Sequence, residues 1–217
     1  MTHDEGRHAF LAALDTFASV ADELTDRDLT AFSRCRGWTT ADVLVHVHLG
    51  LQEMLLGLVS PTGEQPDSDA SDYWRHQPPS TDDSADEIAA MRFVRLIASA
   101  YQRPTGVIGH LRPTFDGLRT AVTNLRPGAV RFQGLVLTTG DFLTTWAVEL
   151  AVHQLDLRHP TPPAPSALRL GRATVEALRG GGLPSDWDDE TVLLLGFGRI
   201  EPGDRERAAA AGLPMLG

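Results

Sequence analysis

The stretch Gly37-Trp38-Thr39-Thr40-Ala41-Asp42-Val43-Leu44-Val45-His46 spells out the start of a helix. Thr39 stands where an N-cap stands, Asp42 follows at the spacing of a capping-box partner, and Trp38 precedes the cap with Val43 placed to receive it. The helix this predicts runs to about Val59 and carries His46 and His48. Residues two apart on a helix point roughly 200° away from each other, so at most one of these histidines reaches a given ion.

Working outward from this helix, the apolar residues between His8 and Leu24 recur at three- and four-residue intervals and predict an amphipathic helix. Thr25 to Gly37 is polar and irregular. Ser60 to Asp83, rich in Pro, Ser, Asp and Gln, predicts a long surface loop with Tyr73 and Trp74 as its docked part. A third helical region begins near Ser84 and resumes at Val107, with Pro104 and Pro113 expected to kink or interrupt it. Pro127-Gly128 stops it, a loop or short strand covers Val130 to Leu137, and a fourth helix runs from Phe142 to about His159 under a Gly140-Asp141 cap.

Four helices make a bundle the economical architecture. Pro160, Pro162, Pro163 and Pro165 then mark a linker. Beyond it Ser166 to Arg179 predicts a helix ended by three glycines, Val192 to Phe197 a strand, and Asp204 to Ala211 a short terminal helix. The expectation is a mainly α protein, with a helix bundle over residues 1–160 and a small α/β extension over residues 161–217.

Composition narrows the partners. The 217 residues carry 42% hydrophobic and 22% charged residues, ordinary globular usage. A formal net charge of −10 argues against nucleic acid, whose phosphates need clustered cations. All 19 basic residues are arginine. The single cysteine, Cys35, rules out an internal disulfide, and Met1 to Arg7 lacks the apolar run of a signal peptide, so the cytoplasm is the expected compartment, away from membranes.

The second informative stretch is Glu149-Leu150-Ala151-Val152-His153-Gln154-Leu155-Asp156. Glu149 and His153 are four apart in a helical pattern, so they share a face and can bite one ion. Catalytic zinc sites combine three His or carboxylate ligands and keep a position open, so a third ligand must come from elsewhere in the chain.

The first stretch resembles the G-W-[ST]-x-x-D-[LV]-x-x-H element of the mycothiol-dependent maleylpyruvate isomerase family, within the wider DinB-like superfamily. The second is similar to that family's E-x-x-x-H-x-x-D element. The resemblance covers roughly residues 5 to 160 and implies a DinB-like four-helix bundle. It also implies a divalent metal, zinc foremost with nickel, manganese or iron as alternatives, held by His46, Glu149 and His153, and it leaves His48 out.

The resemblance further implies that mycothiol, a small-molecule thiol, is activated as a thiolate for attack on an electrophilic small molecule. Isomerisation and S-transfer both begin this way. Arg199 is the candidate for an anionic substrate, because an arginine of the family's second domain can serve there. The tail after the linker is taken to be shorter than that second domain, which argues against maleylpyruvate as substrate. A metal-dependent hydrolase and a non-catalytic metal or small-molecule binding protein are the other functions weighed. Asp42 is expected as a cap, Asp156 as support for the ligand helix or a salt bridge, Cys35 as an inert thiol and Trp146 as core.

Overall fold

The helices that begin at His3, Thr40 and Thr139 each start under a side-chain cap and bury apolar residues. The computed structural model describes residues 1–76, 85–204 and 206–215. Helix α1 (His3–Glu23) begins at a capping box in which Thr2 and Glu5 exchange hydrogen bonds, and its buried face carries Phe10, Leu14, Phe17 and Val20, all fully enclosed. The polar stretch after it holds a one-turn helix, α2 (Asp26–Thr30), capped by Thr25 and Asp28. Helix α3 (Thr40–Leu58) starts at the expected capping box: Asp42 Oδ2 accepts from the Thr39 N–H at 2.8 Å, and Thr39 Oγ1 accepts from the Asp42 N–H.

The loop expected from Ser60 to Asp83 contains a short strand, β1 (Pro61–Thr62), and a short helix, α4 (Ala70–Arg75), which buries Tyr73 and Trp74. Its remainder from residue 77 onward lies outside the described residues. The third helical region is two helices, α5 (Ala85–Ser99) and α6 (Gly106–Thr123). The break falls at Pro104, whereas α6 runs through Pro113 without interruption and gives up only one backbone donor there.

Strands β2 (Ala129–Phe132) and β3 (Leu135–Thr138) form a hairpin that β1 extends in the antiparallel order β1-β2-β3. Its two-residue turn, Gln133-Gly134, has φ of 47° and 84°. Two positive φ values mark the primed turn whose twist matches a tight hairpin. Helix α7 (Thr139–Asp156) follows directly, capped by Thr138 rather than by Gly140.

Close approaches fix how these helices run. A Cβ on Gly6 would lie 2.4 Å from the Gly140 carbonyl oxygen, and His159 Nε2 lies 3.5 Å from Glu23 Oε2, so α1 and α7 are parallel. Helix α3 is antiparallel to α7, with Gly57 against Phe142, Gly50 against Trp146 and His46 against His153. Asp15–Arg119 and Asp22–Arg112 ion pairs at 2.8 and 2.9 Å set α6 antiparallel to α1.

After the linker, α8 (Pro165–Arg179) begins with Pro165 and ends at Gly180 in the left-handed conformation. The strand expected at Val192 to Phe197 is instead helix α9 (Asp189–Gly196), capped by Asp188, so the extension is helical among the described residues. Where a helix was expected from Asp204 to Ala211, Asp204 and residues 206–211 lie in turns. Gly171 lies against Leu193 and Gly196 against Val175, and these side chains join the core built on α1 and α7. Among the described residues no helix is long and apolar enough to cross a membrane.

Candidate functional site

Helical spacing brings two faces together over one pocket. On α3, His46, Gly50 and Glu53 lie one and two turns apart; on α7, Trp146, Glu149, Leu150 and His153 do the same. These residues, with Val47, Leu51, Tyr73 of α4 and Gln133 of the hairpin turn, line a cavity of ≈170 Å³. At its base the His46 and His153 rings sit 4.8 Å apart, and His153 Nε2 is 3.2 Å from Glu149 Oε2. Glu149 is the one residue of α7 that is not buried, because its carboxylate faces the cavity.

The other nitrogen of His153 is held from behind. Nδ1 lies 3.0 Å from Asp156 Oδ2. An ionised carboxylate only accepts, so Nδ1 carries a proton. Asp156 is fully buried, and the same Oδ2 accepts from the Cys35 thiol at 2.9 Å while Oδ1 accepts from Arg199 Nε at 2.9 Å. Carboxylate–histidine pairs of this geometry orient imidazoles toward metals.

Charge follows from these contacts. Burial, with the neighbouring His153, pushes His46 down to about 4, so its imidazole is neutral at pH 7. Burial opposes the charge of His153, but hydrogen bonds to Asp156, Cys35 and Glu149 carry it well above the ordinary histidine value. Burial likewise opposes ionised Glu149 and Asp156, and in both the hydrogen bond from His153 outweighs it and holds the carboxyl below its usual range. Burial raises the Cys35 thiol, which keeps it protonated.

Neutral imidazole from His46, carboxylate from Glu149 and an imidazole steered by Asp156 are donor types that a borderline divalent cation takes. Among the described residues, the group whose donor atoms all lie within 4.8 Å of one another is Cys35, His153 and Asp156, not His46, Glu149 and His153. There, however, Asp156 already satisfies Arg199, Cys35 and His153, and a guanidinium stands where the ion's positive field would fall.

Of the remaining residues singled out in the sequence, His48 points away from the pocket, toward Thr114 (3.4 Å) and His110 on α6. Asp42 caps α3. Arg199 does not line the cavity: Nε goes to Asp156 and Nη1 to the Phe197 carbonyl. Trp146 is core and pocket wall at once, and its indole N–H, though buried, has no partner. Tyr73 reaches the pocket, while Trp74 packs on Phe197. Glu53 and Gln133 went unremarked in the sequence; for Glu53 the signal was its place seven residues after His46, two turns along one helix face.

Fold and pocket together define a mainly helical bundle in which two histidines and a glutamate face one cavity. The family model of the mycothiol maleylpyruvate isomerase N-terminal domain matches residues 10–158, and the chain belongs to that family. A crystal structure of a mycothiol-dependent maleylpyruvate isomerase superposes with a TM-score of 0.63 at 13% identity, covering 94% of this chain and 92% of that one. A histidine-to-alanine mutant of a mycothiol-dependent maleylpyruvate isomerase gives 0.62 at 12%, over 92% and 90%. No curated protein matches the chain. The coverage corrects the expectation of an unusually short tail: the fold likeness extends over nearly the full length of both chains.

Proposed function

We propose that the chain is a divalent-metal enzyme that uses mycothiol against a small electrophile, as an isomerase or an S-transferase, in the cytoplasm. The observation that carries this is the convergence of His46, Glu149 and His153 on one cavity, with His153 braced by a fully buried carboxylate. In this reading residues 1–160 are the metal-binding bundle, and residues 161–217 brace it through the bond from Arg199 to Asp156.

A zinc ion bound by these three residues would supply Lewis-acid chemistry that holds a coordinated thiol as thiolate at neutral pH. The chain's own residues prepare for it. His46 offers a lone pair because burial keeps it unprotonated. Asp156 keeps the proton of His153 on Nδ1, which turns Nε2 toward Glu149 and the cavity. Trp146, Leu51 and Tyr73 wall the site with apolar surface and shield it from water. Among the described lining residues none is a serine or cysteine, which fits a nucleophile supplied by a bound thiol.

The test is metal content by elemental mass spectrometry on the wild type and on His46→Ala, His153→Ala and Cys35→Ser. About one ion per chain is expected, lost in both histidine variants with helicity retained, and kept in Cys35→Ser; consumption of an electrophile should need mycothiol and stop on chelation. Stoichiometric metal in both histidine variants sinks the assignment. Loss in Cys35→Ser but not in His46→Ala moves the ion to the Cys35, His153 and Asp156 group.

A further inference from the structure

The charge of the cavity wall says which electrophiles it admits. Its lining holds two carboxylates, Glu149 at the base and Glu53 two helical turns beyond His46, and among the described residues no arginine. Glu53 is anchored at the mouth, where its Oε1 accepts from Gln133 Nε2 at 3.1 Å. Both carboxylates act on the buried Tyr73 hydroxyl: burial first, then the fields of Glu149 and Glu53, makes that phenol harder to ionise. The three groups therefore face a common space.

Three arginines on the surrounding elements are engaged elsewhere. Arg199 is turned inward to Asp156 and the Phe197 carbonyl, Arg131 pairs with Glu64, and Arg75 pairs with Asp72 and the Ala177 carbonyl. The sequence from 77 to 84 contains no arginine or lysine, and the whole chain is at −10. A carboxylate passing Glu53 meets a like charge with no arginine among the described lining residues beside it, whereas a hydroxyl, amide or ammonium group meets the Glu53 carboxylate as acceptor.

We infer that Glu53 makes this pocket select uncharged or ammonium-bearing electrophiles over carboxylates. The inference rests on the proposed function for its chemistry but not for its charge argument.

Three acrylamides with the same reactive alkene separate the two: N-(2-hydroxyethyl), N-(2-aminoethyl) and N-(2-carboxyethyl). With metal-loaded protein and mycothiol, kcat/KM for the hydroxyl and ammonium compounds is expected to exceed that for the carboxylate about tenfold, a ratio that shrinks in Glu53→Gln and inverts in Glu53→Arg. The matching saturated propanamides, titrated calorimetrically, read the same order without turnover. If no acrylamide is consumed yet the propanamide order holds and inverts in Glu53→Arg, the inference stands and the thiol-enzyme reading falls. Equal or better binding of the carboxylate by the wild type, a ratio indifferent to Glu53→Arg, or no binding by any propanamide overturns the inference.

Discussion

Helices α7 and α5 meet water in opposite ways. Every residue of α7 except Glu149 is buried, while among the described side chains of α5 Val94 alone is buried and Phe93 and Leu96 are 56% and 68% exposed. A helix enclosed on all sides leaves its polar groups no solvent, so they turn to partners in the protein, with the Trp146 indole N–H as an exception. Thr144 and Thr145 bond back to carbonyls of their own helix, Gln154 reaches the Thr161 carbonyl, and Asp156 gathers three donors. The polar residue left facing a cavity is therefore informative on α7, whereas exposure on α5 says little about any one position.

The difference predicts a steep gradient of mutational effects. The largest stability effect belongs to Asp156→Asn, which leaves the Arg199 guanidinium buried without its counter-charge. Thermal or urea unfolding should show a loss of about 3–5 kcal/mol, and metal affinity should fall about 10–100-fold. An unchanged affinity would mean that Asp156 serves packing alone.

Gly57→Ala comes next, because a Cβ there would lie 2.7 Å from the Phe142 ring and 3.1 Å from Phe132, forcing α3 and α7 apart. Overpacking of this kind costs about 1–3 kcal/mol by urea unfolding. Leu96→Ser on α5 should shift stability by no more than about 0.5 kcal/mol; a larger loss would show that α5 is covered by something in solution and would erase the contrast with α7.

How much of this was legible follows the same division. The long helices α1, α3 and α7 could be read from their apolar period, and at α3 the Thr39–Asp42 cap agrees with it as well. The Glu149 and His153 pair could be read because one helix fixes both. The pocket's rim could not, since Glu53, Tyr73 and Gln133 come from α3, α4 and a hairpin turn that only the folded chain assembles.

Misreadings had physical causes. Val192 to Phe197 is an unbroken apolar run, and such runs fit a buried strand or a buried helix equally well. The neglected signal was Asp188 as cap, with Asp189 and Glu190 in the first turn. The alanine-rich residues 206–211 are too short a run to repay helix nucleation, so they stay in turns.

The turn at Gln133-Gly134 bears on how such a protein can diversify. The donors of the cavity floor stand on two helices locked into the core, but part of the rim is the tip of a hairpin whose side-chain alternation any change of length would reset. Gly134 has open space around it. A lineage can therefore exchange what the mouth of the cavity recognises by re-cutting a two-residue turn, while the floor is inherited unaltered.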